Sequence, residues 1–155
     1  MQTLKDLSKN IEYQNHKNIN QKLDNLESLL TAVKKKDLTE SVVTLINKHI
    51  TDLNTFTGTP KNYLKQIRKT QYQILQTLEK ELNIIPKGHY RNKWFTVGMT
   101  TFGLSFGVVF SVLIDNFAFV GIGLPIGMAI GMAIGTNKDK KAKNEGRQLD
   151  TNIKW

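Results

Sequence analysis

The chain has 155 residues, a formal net charge of +9 and no cysteine. That length suits one ordinary domain plus an additional segment. The missing cysteine excludes a disulfide framework, a thiolate metal site, a cysteine nucleophile and a lipidated N-terminal cysteine.

The positive balance is unevenly spread, which weakens a nucleic-acid reading. Residues 1–92 carry fifteen Lys/Arg against nine Asp/Glu, residues 93–136 carry Lys93 against Asp115, and residues 137–155 carry six against three. The opening MQTLKDLSKNIEYQ has no apolar core behind a basic start, so it does not read as a cleaved signal peptide.

Three helices are expected first. Leu4, Leu7, Ile11, Ile19, Leu23, Leu26, Leu30 and Val33 recur mostly at steps of three or four, which predicts a helix from about Thr3 to Val33. Its polar middle, YQNHKNINQ, is where it would bend or break. Asp37 with Glu40 three residues on has capping-box spacing and should open the second helix. Leu38, Val42, Leu45, Ile46, His49, Ile50 and Leu53 then share one face. In TFTGTP, Gly58 ends that helix, Thr59 caps the next and Pro60 suits its first turn. Leu64, Ile67, Gln71, Leu75 (or Ile74), Leu78 and Leu82 are spaced close to a heptad, and the helix should stop before Pro86 and Gly88. Residues 1–86 therefore read as a helical module, a three-helix bundle or a coiled coil, with 87–93 as a linker.

Next, 94–114 and 117–136 are apolar runs of twenty-one and twenty residues without a charge. At about 1.5 Å per residue each is long enough for a hydrocarbon core of about 30 Å. With only Asp115-Asn116 between them, 94–136 is expected to form a transmembrane hairpin. A module of this size has too little surface to bury two helices apolar all round. Lys87, Arg91 and Lys93 precede the first span, while Lys138, Lys140, Lys141, Lys143 and Arg147 follow the second. The positive-inside rule then puts both termini, including the basic tail 137–155, in the cytoplasm. Tyr90, Trp94 and Phe95 at one boundary, and Phe117 and Phe119 at the other, suit interfacial belts.

The second span is a four-residue repeat: GIGL, PIGM, AIGM, AIGT. Gly fills 123, 127, 131 and 135; Gly121, Pro125, Ala129 and Ala133 form a second small column about 200° away on a helix. Small residues let helices approach closely in a bilayer, where no hydrophobic force drives them together. The first span offers Thr96, Thr100, Gly103, Gly107 and Ser111 as its matching stripe. One small face can close the hairpin, which leaves the other for a neighbouring copy. Pro125 is expected to kink the span.

The stretch GIGLPIGMAIGMAIGTNKDKKAKNEGRQLD resembles the C-terminal hairpin of small bacterial glycine-zipper membrane proteins, over about residues 93–150. The resemblance implies a two-helix membrane topology and a packing mode, and with the charge rule it points to the bacterial inner membrane.

Enzymatic chemistry finds no support. His16, His49 and His89 are widely spaced, so no metal or other cofactor is expected. No phosphate-binding loop, nucleophile elbow or intramembrane carboxylate pair occurs. No small-molecule substrate is suggested. The tail suffices as a topology signal and can also attract anionic lipid. The fold class expected is all-α. The leading functional expectation is an integral membrane protein that self-associates as a homo-oligomer through its hairpin and presents the N-terminal helices to a cytoplasmic protein partner. A pore lined by Thr96, Thr100, Thr101, Ser105 and Ser111 is the alternative, and a membrane-tethered nucleic-acid-binding module ranks last.

Overall fold

The computed structural model describes residues 3–8, 13 and 15–151. The protein is all-α, apart from β1 (Ile85–Pro86) and β2 (Gln148–Leu149), which form a two-stranded sheet. It divides into two compact units: Met1–Pro86 with Leu149–Trp155, and Lys87–Gln148.

The first unit contains α1 (Lys17–Lys34), α2 (Glu40–Asn54) and α3 (Pro60–Leu82). Helix α3 packs against both others. The core is set by apolar periodicity: Leu23, Leu26, Leu30 and Val33 from α1, Val42, Ile46, Ile50 and Leu53 from α2, and Ile67, Ile74 and Leu78 from α3 are buried together. Tyr13 stacks on Tyr63 with ring centroids 4.4 Å apart, and its hydroxyl donates to the Gly58 carbonyl over 2.5 Å. Leu149 returns to this core and is 1% exposed.

Three local expectations need correction. First, the initial helix starts at Lys17 rather than Thr3; Thr3–Ser8 is non-helical, and Ile11 lies outside the described residues. The Lys5 and Ser8 amides donate to the Asn47 and Asn54 side chains of α2, and the Thr3 and Asp6 carbonyls accept from them, so these four main-chain groups are satisfied without a helix. Second, α2 opens at Glu40 with Thr39, not Asp37, in the N-cap position, and no side chain caps it. Third, Leu45 is 42% exposed while Val43 is buried, because the stripe runs through Val42, Ile46 and Ile50. At α3, Thr59 accepts a hydrogen bond from the Asn62 amide and Pro60 occupies the first turn. Asn83 ends it with a left-handed φ of 56°, a conformation Asn tolerates better than most residues. The Ile84 amide then closes onto the Leu78 carbonyl at 3.1 Å.

The second unit is a helical hairpin. Its first arm joins α4 (His89–Val97), a π-helical segment (Gly98–Gly103) and α5 (Leu104–Ile114) into one rod of 26 residues. The reversal uses Asp115 at φ 50° and a 3₁₀ turn, Phe117–Phe119, where the Ala118 amide donates to Asn116 Oδ1 at 3.0 Å. The second arm is α6 (Val120–Asn144), which passes through Pro125 and carries the first part of the basic tail as continuous helix. Both arms are long and apolar enough to cross a membrane.

Candidate helix-packing site

Alternation in α6 produces the geometry. Residues four apart return to nearly the same helical face, so Gly123, Gly127, Gly131 and Gly135 make one line, and all four are buried. Their surroundings are backbone. A methyl group at Gly135 would lie 2.6 Å from Arg91 Cα, and one at Gly123 would lie 2.6 Å from Gly107 Cα. At Gly127 it would meet the Gly98 carbonyl and the Gly103 amide, and at Gly131 the Trp94 carbonyl. Such close approach requires residues without Cβ.

The opposing stripe differs from the expected one. It runs Gly98, Gly103, Gly107 and Ser111, all buried, whereas Thr96 and Thr100 are exposed. Gly98 and Gly103 are five residues apart, a spacing that would leave one face in an α-helix. The π-helical turn between them absorbs the extra residue and keeps both glycines against α6. Sequence reading keyed to steps of three and four therefore passed over Gly98. The five-residue gap between two glycines was its only signal.

The second small column faces outward. Gly121, Pro125, Ala129 and Ala133 are exposed, and nothing lies within 4 Å of a methyl group built at Gly121. Large apolar side chains are exposed as well: Val112 is 69% exposed, Leu113 75% and Phe117 86%. The unit is thus inverted relative to a water-soluble core, with glycine backbone inside and Val, Leu, Ile and Phe outside. Hydroxyl groups along the first arm are engaged by its own carbonyls: Thr96 with Asn92, Thr100 with Thr96, Ser105 with Thr101, and Ser111 with Val108.

The open end of the hairpin is polar. Gly88 (φ 76°) leaves α4 without a side-chain cap. Asp139 of α6 supplies one, accepting the Tyr90 and Arg91 amides at 3.1 and 3.0 Å. An anion suits the positive end of a helix, and sequence reading, which counted Asp139 among the tail's charges but gave it no role, missed it. Lys138 Nζ lies 5.8 Å from the Tyr90 ring centroid and 5.3 Å from that of Trp94, both in cation–π range. Lys141 approaches Glu145 at 4.0 Å. Arg147 bonds Glu145, and that hydrogen bond is the main reason its guanidinium binds its proton more tightly than usual. Arg91, Lys93, Lys140 and Lys143 are exposed. Among the described residues, no group of three or more His, Asp or Glu is placed to hold a metal ion.

Comparison with protein-family models, curated proteins and solved structures finds no match to this chain.

Proposed function

We propose that the protein is an integral membrane assembly module. The hairpin inserts in the bilayer, is closed as a glycine zipper by the Gly123–Gly135 line, and self-associates through Gly121, Pro125, Ala129 and Ala133. Self-association gathers the N-terminal helices of several copies for a cytoplasmic protein partner. The observation carrying this reading is the inverted packing of the second unit. Water would penalise its outward Val, Leu, Ile and Phe by about 25 cal/mol per Å² of apolar surface, whereas lipid tails would not. In lipid, close approach of small faces becomes a main source of helix attraction, and the outward Ala/Gly column offers a second such face. No observation favours a pore to the same degree, since several hydroxyls of its candidate wall are bonded to their own helix.

The test is the mass of the purified chain in mild detergent and lipid nanodiscs, together with crosslinking in membranes. More than one copy is expected. Ala129→Leu with Ala133→Leu should lower the copy number without opening the hairpin. A monomer under all these conditions would sink the reading. Leakage from liposomes carrying the protein would instead favour a pore.

A further inference from the structure

The Thr3–Ser8 segment is held by α2 in a repeating pattern. The Asn47 side chain accepts the Lys5 amide at 2.8 Å and donates to the Thr3 carbonyl at 3.0 Å. The Asn54 side chain accepts the Ser8 amide at 2.9 Å and donates to the Asp6 carbonyl at 3.0 Å. Each asparagine therefore grips the carbonyl of one residue and the amide two further on, and the second grip falls three residues after the first. The lengths agree. Seven helical residues rise about 10.5 Å, and three residues of an extended polyproline-II chain advance about 9.3 Å. A three-residue period also puts Leu4 and Leu7 on one side of the segment. Leu4 is buried in the core cluster, with Leu7 packed against it.

We infer that the Asn47–Asn54 edge of α2 is a docking groove for an extended peptide with leucines three residues apart, and that Thr3–Ser8 is its resident occupant. The inference names the partner chemistry for the reading above and rests on it in that respect. Four of the bonds involve only main chain on the occupant's side, so they accept any sequence with N–H groups at the two donor positions. Selectivity comes from the two leucine positions and from Lys34, whose Nζ lies 2.8 Å from Asp6 Oδ1. The preferred ligand is Leu-x-(Asp/Glu)-Leu. An open surface cleft of about 850 Å³ lies between Thr3, Leu4 and Asp6 of the segment and Leu38 and Val43, and one of about 610 Å³ lies between Thr3 and Lys5 and α2 residues Asn47 and Thr51. A partner with bulkier side chains at the Thr3 or Lys5 positions would fill space that the resident segment leaves open.

The test uses the full chain in detergent and a labelled, end-blocked TLKDLS peptide. Leu4→Asp with Leu7→Asp should expel the resident segment, and the peptide should then bind saturably, at least about tenfold more tightly than to the unmodified chain. Adding Asn47→Ala and Asn54→Ala should weaken binding by about tenfold or more. A peptide with Pro at the positions of Lys5 and Ser8 stays extended but lacks both donors, and should not bind. No binding to the opened chain, or binding indifferent to Asn47, Asn54 and the two prolines, overturns the inference. If the opened chain loses its helical signal, the unmodified chain decides. Peptide above the roughly millimolar effective concentration of a tethered segment should speed hydrogen exchange at the chain's own Lys5 and Ser8 amides, and unchanged rates overturn the inference. Copy number plays no part in these measurements, so a monomer that binds the peptide removes the assembly reading and leaves the groove standing.

Discussion

A methyl group at Gly127 would lie 2.6 Å from Gly103 Cα and closer still to the Gly98 carbonyl and the Gly103 amide. Those neighbours are all backbone, so no rotamer change can make room, and the helices must separate. Gly127→Leu should therefore destabilise the hairpin by about 1–3 kcal/mol or more, read as earlier unfolding in a denaturing-detergent titration. Gly121→Leu, which meets open space, should leave that titration unchanged. Asp139 is a second such single-residue support. Asp139→Ala removes the acceptor for the Tyr90 and Arg91 amides and should cost about 1 kcal/mol, with faster hydrogen exchange at those two amides and not at Gly103 or Gly107. On α2, His49 is held below its usual pKa, first by desolvation and then by Lys48 and Lys69, with Asp52 opposing. The unfolded chain then takes up the proton first as pH falls through the ordinary histidine range near about 6.5, so the first unit loses stability below that pH and the loss levels off below the lowered pKa. His49→Gln should flatten the dependence of the melting temperature between pH 7 and pH 5; an unchanged slope would remove His49 as its source.

At the level of elements, the hairpin was legible because charge disappears from two long runs and reappears at their outer ends, a pattern that needs no tertiary knowledge. That Gly123, Gly127, Gly131 and Gly135 share one face was legible for a related reason, since a four-residue step keeps one face; the same step groups Gly121, Pro125, Ala129 and Ala133 on another, so the step alone does not choose the buried one. The matching arm was not. Thr96 and Thr100 lead to Gly103 by steps of four and three in sequence, but the π-helical turn shifts the register, and Gly98 takes their place. Local propensity carries no trace of that turn; only the partner helix selects it, by requiring glycine at both levels. This leads to a paired deletion. Removing Thr101 shortens the Gly98–Gly103 step to four, which an ordinary α-helix satisfies, so the hairpin should keep its stability. Removing Phe106 shortens the Gly103–Gly107 step to three and turns Gly107 and Ser111 off the contact, so the hairpin should unfold earlier in the same titration. Equal effects would mean that the turn plays no part in register. The start of α1 failed for a comparable reason. Leu4 and Leu7 have a helical step, but three is also the period of an extended segment, and only Asn47 and Asn54 decide between the two.

For the whole molecule, the two units rest on opposite solvent physics. The first buries Leu, Ile and Val away from water, while the second buries glycine and turns its apolar side chains outward. Urea weakens the first kind of packing by solvating apolar and peptide groups, whereas a hairpin in a micelle is shielded from it. Urea titration in detergent should therefore melt α1–α3 first and the hairpin only at higher urea, with the helical signal lost in two steps. Leu26→Ala, at a site with 0% exposure, should shift only the first step, by about 2–5 kcal/mol. Gly127→Leu should shift only the second. Leu149→Ala distinguishes sequence order from structural membership. It follows the hairpin in the chain, yet it belongs to the first unit and is 1% exposed in that core. Its loss should act on the first step, again by about 2–5 kcal/mol. If the substitution moved the second step instead, the assignment of the chain's return to the first core would be wrong.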